Sequence, residues 1–337
     1  MNAVPDDACR PGVYEGVLEL QGPLPLRFGG ELANVRVAWR LAGDPAAPVI
    51  AALGGISAGR AVTDHAGNKG WWSDIIRPGG ALDSDRYRIL GIDFLGGSGG
   101  TTGPRAGQAD FPTIASHDQA ELLRRVMQHL QIGSLAAIVG ASYGGMVALA
   151  FAERFPQLVK HIVVISAAHR THPLSTAWRS VQRAVVRYAA QKGEGAEGLR
   201  LARALAMATY RSSTEFEQRF AGPATRVDGR FQFPIESYLL ARGDAYAAAY
   251  IPEAFVCLSE SIDLHQVEPA NILVPTSLVA VIEDQLVPLS DMRALKDRLG
   301  GPAELVELSS LYGHDAFLKE AQALRQVFTR ALSGEVK

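Results

Sequence analysis

A serine flanked by glycines lies where an apolar run changes into a helix-compatible run. Residues 140–144 read Gly-Ala-Ser-Tyr-Gly, after the apolar residues 135–139 and before a helical pattern that continues to Arg154. A sharp strand-to-helix turn holds its central serine in strained backbone geometry, and glycines on both sides relieve the crowding. The hydroxyl of Ser142 then stands where helix N–H groups and the helix dipole can face a developing oxyanion. This pattern predicts that Ser142 attacks an acyl carbon.

A serine nucleophile needs a base, and the base needs an acid that orients it. Late in the chain, the apolar run at 272–282 predicts a buried strand that leads to Glu283 and Asp284, and His314 follows the next strand-like run. The order Ser, acid, His resembles that of the α/β-hydrolases, whose nucleophile turn has the pattern Gly-x-Ser-x-Gly. We therefore predict Ser142 as nucleophile, His314 as general base and acid, and Asp284 as the residue that orients His314. Glu283 is the alternative to Asp284.

Composition narrows the classes of protein. The chain has 337 residues, 47% of them hydrophobic and 20% charged, and a formal net charge of −2. Lys and Arg residues are scattered, so we expect neither nucleic acid nor an anionic membrane as a partner. The other seven histidines show no i, i+4 pair beside a carboxylate, which predicts no metal site.

The chain carries no recognisable export or membrane signal. It has only two cysteines, Cys9 and Cys257, and they are far apart in the sequence. This predicts no disulfide framework and fits a reducing compartment. The first residues lack the positive cap and apolar core of a signal peptide, and no apolar run reaches transmembrane length. We expect a cytoplasmic protein.

Short apolar runs alternate with helical patterns through the first half of the chain. Residues 14–40 alternate in the manner of antiparallel strands, whereas four later runs have the continuous apolar character of buried strands, namely 49–53, 87–93, 135–139 and 162–166. Such runs separated by helices indicate a parallel sheet covered on both faces. The fold class is therefore predicted as α/β, an α/β-hydrolase fold with a mostly parallel sheet.

The character of the sequence changes between residues 170 and 265. This segment is rich in Ala and Arg, and it has helical patterns near 175–190, 196–210 and 235–250. We predict a helical lid inserted at 170–265, and an α/β-hydrolase core formed by 1–169 and 266–337.

Further motifs resemble the homoserine O-acyltransferase family of α/β-hydrolase-fold enzymes. The resemblance runs from about Leu20 to the C-terminal helix. Its motifs are Gly-Trp-Trp at 70–72, Arg-Pro-Gly at 77–79, a glycine-rich stretch at 93–104, Thr-Tyr-Arg-Ser at 209–212, Glu-Ser-Tyr-Leu at 236–239 and Gly-His-Asp at 313–315. The chain departs from the family in having Tyr143 where Met is usual and in shorter segments around 192–198 and after Pro104.

The resemblance implies acyl transfer by a ping-pong mechanism in methionine biosynthesis. An acyl group passes from acyl-CoA, which is a substrate and not a bound cofactor, to Ser142 and then to the γ-hydroxyl of L-homoserine. Backbone N–H groups of Tyr143 and Ile56 are the predicted oxyanion donors. By the same resemblance, Arg211 binds the carboxylate of the amino acid and Asp315 binds its ammonium group, with Tyr238 as a second candidate for the ammonium.

Two positions bear on the acyl group, because a buried succinyl carboxylate needs a cation. Leu286 stands where one branch of succinyl-using relatives has arginine, which favours acetyl-CoA. Arg179 stands where a second succinyl-using branch, acting on serine, has arginine, which favours succinyl-CoA. We give Arg179 more weight because it supplies the charge, and we predict a homoserine O-succinyltransferase with the O-acetyltransferase as alternative.

The sequence leaves the acceptor of the acyl group open. One methylene separates homoserine from serine, and the residues do not decide between them. An esterase or thioesterase would use water as acceptor, and the predicted pair Arg211 and Asp315 argues against it. A non-catalytic binding module would normally have lost one of the three catalytic residues, and none is lost. Relatives pair through lid helices, so a homodimer is expected.

Overall fold

The structure is a computed structural model that describes residues 12–108 and 110–333. Cys9 lies outside the described residues, as do the two outer ends of the predicted core, residues 1–11 and 334–337. The strands, in chain order, are β1 Gly12–Glu19, β2 Leu24–Pro25, β3 Glu31–Leu32, β4 Arg36–Gly43, β5 Val49–Leu53, β6 Ile76–Arg77, β7 Leu82–Asp83, β8 Arg88–Ile92, β9 Ala137–Ala141, β10 Ile162–Ile165, β11 Thr225–Val227, β12 Arg230–Gln232, β13 Thr276–Val281 and β14 Ala303–Leu308. The α-helices are α1 Ser116–His129, α2 Tyr143–Arg154, α3 Pro173–Ala190, α4 Gly195–Tyr210, α5 Ser213–Phe220, α6 Pro234–Ala247, α7 Pro252–Asp263, α8 Leu289–Arg298 and α9 Ala321–Ser333.

A central sheet of eight strands has the order β1-β4-β8-β5-β9-β10-β13-β14. Strand β4 runs antiparallel to both of its neighbours, and all pairs from β8 to β14 are parallel. The predicted α/β-hydrolase fold is confirmed. Because parallel strands all end at the same edge of a sheet, the residues that follow β9 and β13 are brought together.

Helices cover both faces of this sheet. On β9, Ile138 packs into a core with α1 and α2, whereas its neighbour Val139 packs on the opposite face with α9. Adjacent residues of a strand point to opposite faces, so a strand covered on both sides must be apolar throughout. This explains why β9, β10 and β13 read as continuous apolar runs.

Five helices and a short hairpin lie between β10 and β13; we call residues 170–265 the helical insertion. Helix α3 approaches α4 closely at Gly198, where a Cβ atom would lie 2.6 Å from the Ala189 Cβ atom. The hairpin β11–β12 and the helices α5 and α7 were not predicted from the sequence. The predicted strand at 272–282 is shorter, since β13 begins directly after Pro275, which has no N–H to donate.

Candidate active site

The turn between β9 and α2 forces Ser142 into a positive φ of 54°. A Cβ atom at Gly140 would lie 2.3 Å from the carbonyl oxygen of Gly144, and one at Gly144 would lie 2.3 Å from that of Leu53. Side chains at these two positions would therefore collide with backbone, so the sharp turn requires glycine on both sides. Strain of this kind persists only where surrounding structure enforces it, and it places the Ser142 hydroxyl at the tip of the turn.

The imidazole of His314 lies between the Ser142 hydroxyl and the Asp284 carboxylate. Its Nε2 atom is 2.9 Å from Ser142 Oγ, and its Nδ1 atom is 2.7 Å from Asp284 Oδ2. With Nδ1–H donating to the carboxylate, Nε2 is left as an acceptor for the serine proton. The three residues, distant in sequence, thus form a hydrogen-bonded chain suited to nucleophilic catalysis.

The carboxylate of Asp284 is held by backbone. The N–H groups of Leu286 and Val287 donate to its Oδ1 atom over 2.8 and 3.1 Å, which leaves Oδ2 for His314. Glu283, the alternative acid, instead accepts from the Ser309 hydroxyl and the Ser310 N–H. The structure therefore brings Asp284, and not Glu283, to the histidine.

A close backbone approach and a hydrogen bond fix the turn that carries His314, which comprises residues Gly313–Leu318. Gly313 has a φ of 54°, and a Cβ atom there would lie 2.9 Å from the Tyr210 carbonyl oxygen. The indole N–H of Trp72 donates to the carbonyl oxygen of Phe317 over 2.9 Å. Trp72 thus ties the early chain to the turn that carries the base.

Burial would lower the pKa of His314, but the charge of Asp284 and the hydrogen bond to it outweigh this effect. The pKa of His314 is therefore raised above its ordinary value, with a further contribution from Asp315. A more basic imidazole is a stronger acceptor for a serine proton.

Two backbone N–H groups are available at the nucleophile. Those of Ile56 and Tyr143 donate to no other group in the described part of the chain. The loop with Ile56 is tied to the serine turn by a hydrogen bond of 2.8 Å from the Gly144 N–H to the Gly54 carbonyl. Open N–H groups beside a serine nucleophile are the arrangement of an oxyanion hole.

The side chain of Tyr143 points into the core. Its hydroxyl is 2.6 Å from Ser261 Oγ on α7 and accepts from Gln119 on α1 over 3.3 Å. Burial raises the pKa of Tyr143 well above its ordinary value, so it stays neutral. Tyr143 therefore offers the site its backbone N–H and not its phenol.

Two cavities meet at the nucleophile. Both are lined by Ser142 and His314, together with Ile56, Tyr210 and Ile262. The first, which we call the Arg179 cavity, extends between the sheet and helices α3 and α7. The second, which we call the Asp315 cavity, has a volume of about 180 Å³ and extends under α4. A group bound in either cavity can reach the same serine.

Arg179 lines the first cavity and is paired with Asp263. Its Nε atom donates to Asp263 Oδ1 over 2.8 Å, and Arg183, one helical turn later, donates to Oδ2 over 2.6 Å. Two guanidinium groups thus share one carboxylate. The cavity lining adds one further cation, Arg170, and one further anion, Asp291, so these five groups together keep an excess of one positive charge. Leu286 lines the same cavity and adds only apolar surface.

Asp315 lines the second cavity, whereas Arg211 lies outside the described lining of both cavities. Arg211 is paired instead with the carboxylates of Asp315 and Glu215, each at 3.2 Å. Burial raises the pKa of the Asp315 carboxyl above its ordinary value, although Arg211 and His314 oppose this. In this arrangement Arg211 contacts the predicted ammonium-binding residue and not the cavity.

Tyr238 is not brought to the site. Its ring packs on Phe220, with centroids 5.1 Å apart, and the Arg219 guanidinium lies 4.7 Å from the ring centre. It is outside the described lining of both cavities. Helix α6 directs the ring toward α5, so the contact of Tyr238 with the amino-acid ammonium stays a prediction that this arrangement does not support.

Sequence reasoning missed several polar residues in or beside the cavities. Among them are Arg203, which lines the Asp315 cavity, and Arg183 and Asp263, which form the ion-pair cluster with Arg179 but line neither cavity. A helical spacing signal existed for Arg183, which follows Arg179 by four residues on α3. For Arg203 the signal was the seven-residue spacing to Tyr210 on α4. No local pattern marked Asp263.

Two findings bear on metals and membranes. Among the residues that the structure describes, no group of three or more His, Cys, Asp and Glu side chains could hold a metal ion. None of the described helices is long and apolar enough to cross a membrane.

Comparison with known proteins agrees with this geometry. Residues 65–321 match the family of the alpha/beta hydrolase fold. The chain is 39% identical to a homoserine O-succinyltransferase of Xanthomonas campestris, over 97% of this chain and 86% of the relative. It is 31% identical to a homoserine O-acetyltransferase of Thermobifida fusca, over 90% and 89% of the two chains. It is 34% identical to a serine O-succinyltransferase of Litchfieldella anticariensis, over 90% and 94%.

A solved structure has the same fold. The homoserine O-acetyltransferase of Bacillus anthracis superposes with a TM-score of 0.85, with 19% identity, over 97% of this chain and 99% of that chain. At this identity the likeness concerns the fold alone. On the family match and the relatives at 31–39% identity, the chain belongs to the α/β-hydrolase fold family and, within it, to the homoserine O-acyltransferase family.

Proposed function

We propose that this protein transfers the succinyl group of succinyl-CoA to the γ-hydroxyl of L-homoserine, as an O-succinyltransferase of methionine biosynthesis. The observation that carries the proposal is the meeting of two separate cavities at Ser142 and His314. A hydrolase can also use two pockets, one for the acyl part and one for the leaving group of its ester, so the relatives that are named acyltransferases support transfer over hydrolysis. A group transfer between two bound substrates is served by two pockets that share one nucleophile.

In the first half-reaction, Ser142 Oγ attacks the thioester carbonyl carbon while His314 Nε2 takes the serine proton. The resulting oxyanion accepts hydrogen bonds from the N–H groups of Tyr143 and Ile56. The tetrahedral intermediate collapses, the C–S bond breaks, and His314 returns the proton to the CoA thiolate. The acyl group is then held as an ester on Ser142.

In the second half-reaction, the γ-hydroxyl of homoserine attacks the ester carbonyl carbon. His314 takes the hydroxyl proton, the same N–H groups hold the oxyanion, and the bond to Ser142 Oγ breaks. The proton passes from His314 to Ser142, which restores the enzyme. Asp284 stabilises the imidazolium in both half-reactions and keeps Nε2 directed at the reacting oxygen.

Water must be kept from the acyl-enzyme for this transfer to succeed. Residues of the helical insertion, among them Phe255, Ser259 and Ile262 of α7, form part of the wall of the Arg179 cavity. We infer that the insertion acts as a lid over Ser142. Exclusion of water by a lid favours a bound alcohol as acceptor.

Arg179 supports succinyl-CoA as the donor. A succinyl carboxylate that enters the Arg179 cavity meets the excess positive charge of Arg179 and Arg183, which Asp263 neutralises only in part. The acetyl group of acetyl-CoA has no charge for this cluster to bind. Transfer of a carboxylate into a buried position is costly unless a cation pairs with it. The similarity to the O-succinyltransferases adds support.

Asp315 supports an amino acid as the acceptor. Its carboxylate lines the second cavity beside His314, within reach of an ammonium group whose hydroxyl lies at Ser142. Homoserine is preferred over serine because the relative at 39% identity is named a homoserine O-succinyltransferase. Acetyl-CoA and serine remain the alternative donor and acceptor.

A homodimer through the helical insertion is part of the proposal, as is a cytoplasmic location. Helix α3 exposes a row of apolar side chains spaced three, four and seven residues apart, at Leu174, Trp178, Val181 and Tyr188. Such a row matches the seam of a helix that packs against another helix. A second copy of α3 would cover it.

The proposal is tested by measuring thiol release from succinyl-CoA and acetyl-CoA, each with homoserine, serine or no acceptor. We expect release that requires homoserine and is fastest with succinyl-CoA. The control is Ser142→Ala, which should fold normally and release no thiol above background. Equal release without any acceptor would identify a hydrolase, and unchanged release by Ser142→Ala would refute the mechanism.

A further inference from the structure

Both ends of helix α7 are hydrogen-bonded to the residues of the oxyanion hole. Just before the helix begins, the Tyr250 hydroxyl donates to the carbonyl oxygen of Ile56 over 2.9 Å. In the last turn of α7, the Ser261 hydroxyl lies 2.6 Å from the Tyr143 hydroxyl. Ile56 and Tyr143 are the two residues whose N–H groups stand open beside the nucleophile. We call these two hydroxyl contacts the α7 bonds.

The α7 bond at Ser261 is fully enclosed by protein. Tyr143, Ser261 and Gln119 are all 0% exposed. The Gln119 amide donates to the Tyr143 hydroxyl over 3.3 Å, and two further bonds to the backbone of Leu95, of 2.8 and 2.9 Å, fix that amide. The phenol accepts from Gln119 and can therefore donate its own proton to Ser261. A buried hydroxyl that loses its partner is costly, so this bond favours the observed position of α7.

The α7 bond at Tyr250 is supported by its neighbours. The Tyr250 ring stacks on the Tyr246 ring, with centroids 4.9 Å apart. The N–H group of Ile251 donates to the Ser98 hydroxyl over 3.0 Å, which ties the start of α7 to the loop after β8. These contacts fix the direction of the Tyr250 hydroxyl, and through it the peptide of Ile56.

The same helix forms a wall over the nucleophile. Phe255 and Ser259 of α7 line the Arg179 cavity, and Ile262, next to Ser261, lines both cavities. The α7 bonds therefore connect the cover of Ser142 to the groups that stabilise its oxyanion. Helix α7 cannot move away from the nucleophile as a unit without breaking both bonds.

We propose that Tyr143 and Tyr250 are positioning residues, through whose hydroxyl groups α7 holds the two oxyanion donors in place while it covers Ser142. The inference rests on the proposed function, and it adds that stabilisation of the oxyanion depends on the closed position of α7. Donors that are fixed before the reaction stabilise the oxyanion most, because no reorganisation is needed at the transition state. The oxyanion hole is then complete only when the site is closed to water.

The test measures acylation of Ser142, because this step precedes the choice of acceptor and is common to transferases and hydrolases. Tyr143→Phe, Tyr250→Phe and Ser261→Ala each remove one hydroxyl group of an α7 bond. Tyr246→Phe is the matched control, since the buried Tyr246 hydroxyl has no hydrogen-bond partner within the part of the chain that the structure describes. The burst of thiol from succinyl-CoA and from acetyl-CoA is followed by rapid mixing over a range of donor concentrations. Urea unfolding shows that each variant is folded.

We expect the maximal acylation rate to fall by about 10-fold in Tyr143→Phe and in Tyr250→Phe, because oxyanion contacts form in the transition state. The donor concentration at half-saturation should change little. Ser261→Ala should match Tyr143→Phe, and combining these two should add no further loss, since both remove the same bond. Tyr143→Phe combined with Tyr250→Phe should lose about 100-fold, because the two bonds hold separate donors. Tyr246→Phe should be acylated as fast as wild type.

Wild-type acylation rates in Tyr143→Phe and Tyr250→Phe would overturn the inference. Losses that appear only in the half-saturating donor concentration, or equally in Tyr246→Phe, would also overturn it, since they indicate a general effect on packing. Failure of the proposed function has a different signature. The wild-type acyl-enzyme would then form normally and be discharged by water equally fast with and without homoserine, and the acylation rates of the variants would still decide the role of the α7 bonds.

Discussion

Arg179 donates from Nε to Asp263 Oδ1 over 2.8 Å, so the cation of the proposed donor pocket is already partly neutralised. Arg183 uses the other oxygen of the same carboxylate at 2.6 Å. One carboxylate cannot balance two guanidinium groups, and the remaining charge stands beside the cavity that reaches Ser142. Selectivity for a charged acyl group then depends on this ratio of charges and not on Arg179 alone.

Replacement of Arg179 by leucine removes the excess charge. We expect Arg179→Leu to lower kcat/KM for succinyl-CoA on the order of 100-fold and for acetyl-CoA much less, because only succinyl loses a charge-assisted contact. Steady-state thiol release with both donors measures this. Arg187→Leu, an exposed position two turns later on α3, serves as control and should leave the donor ratio unchanged. Equal losses with both donors in Arg179→Leu would remove the argument for succinyl-CoA.

Replacement of Asp263 by asparagine leaves Arg179 and Arg183 without their shared carboxylate. Removal of one partner from a buried ion pair costs about 3–5 kcal/mol, because the remaining charge is uncompensated. We expect the free energy of unfolding of Asp263→Asn, measured in urea, to fall by an amount of this order. The control Asp244→Asn removes an exposed partner of Arg200 and should change stability by less than about 1 kcal/mol. A similarly small effect of Asp263→Asn would contradict a structural role for the cluster.

The raised pKa of His314 determines the pH dependence. The base must be neutral to take the serine proton, so kcat/KM falls as the pH drops through the His314 pKa. Since Asp284 raises that pKa above the ordinary value of about 6.5, the acid limb should lie above that pH. Asp284→Asn should move the limb to lower pH, and Glu283→Gln should leave it in place. The same shift favours the folded state at low pH, and this contribution is lost as pH rises through the folded pKa.

A profile of kcat/KM against pH for the three proteins tests this prediction. An acid limb that is identical in wild type and Asp284→Asn would mean that another group controls the rate.

The apolar row on α3 predicts the dimer contact. Val181 is 51% exposed, and Val181→Glu would place a charge in the middle of the row. We expect this variant to sediment as a monomer while wild type sediments as a dimer. Val17→Glu on β1, at an edge of the sheet, changes an exposed apolar residue elsewhere and should remain dimeric. A wild type that is monomeric at all concentrations would exclude the dimer. A dimeric Val181→Glu variant would place the dimer contact elsewhere on the surface.

Much of the fold could be predicted from the local hydrophobic pattern of the sequence. Continuous apolar runs identified β5, β9, β10 and β13, because strands covered on both faces must be apolar throughout. The hairpin β11–β12 was missed because its strands have only three residues each, nearly all of them exposed. Strands that bury nothing carry no hydrophobic periodicity.

The serine turn and the position of the histidine after the last strand were determined by the sequence itself, since glycine spacing and strand ends are local features. Tertiary structure decided the rest. Glu283 and Asp284 are adjacent carboxylates, and backbone N–H groups of the folded loop hold Asp284 toward His314, whereas Glu283 accepts from Ser309 and Ser310. Asp263 meets Arg179 across 84 residues of chain. Such contacts depend on how whole helices pack against each other, and a local sequence pattern does not predict that packing.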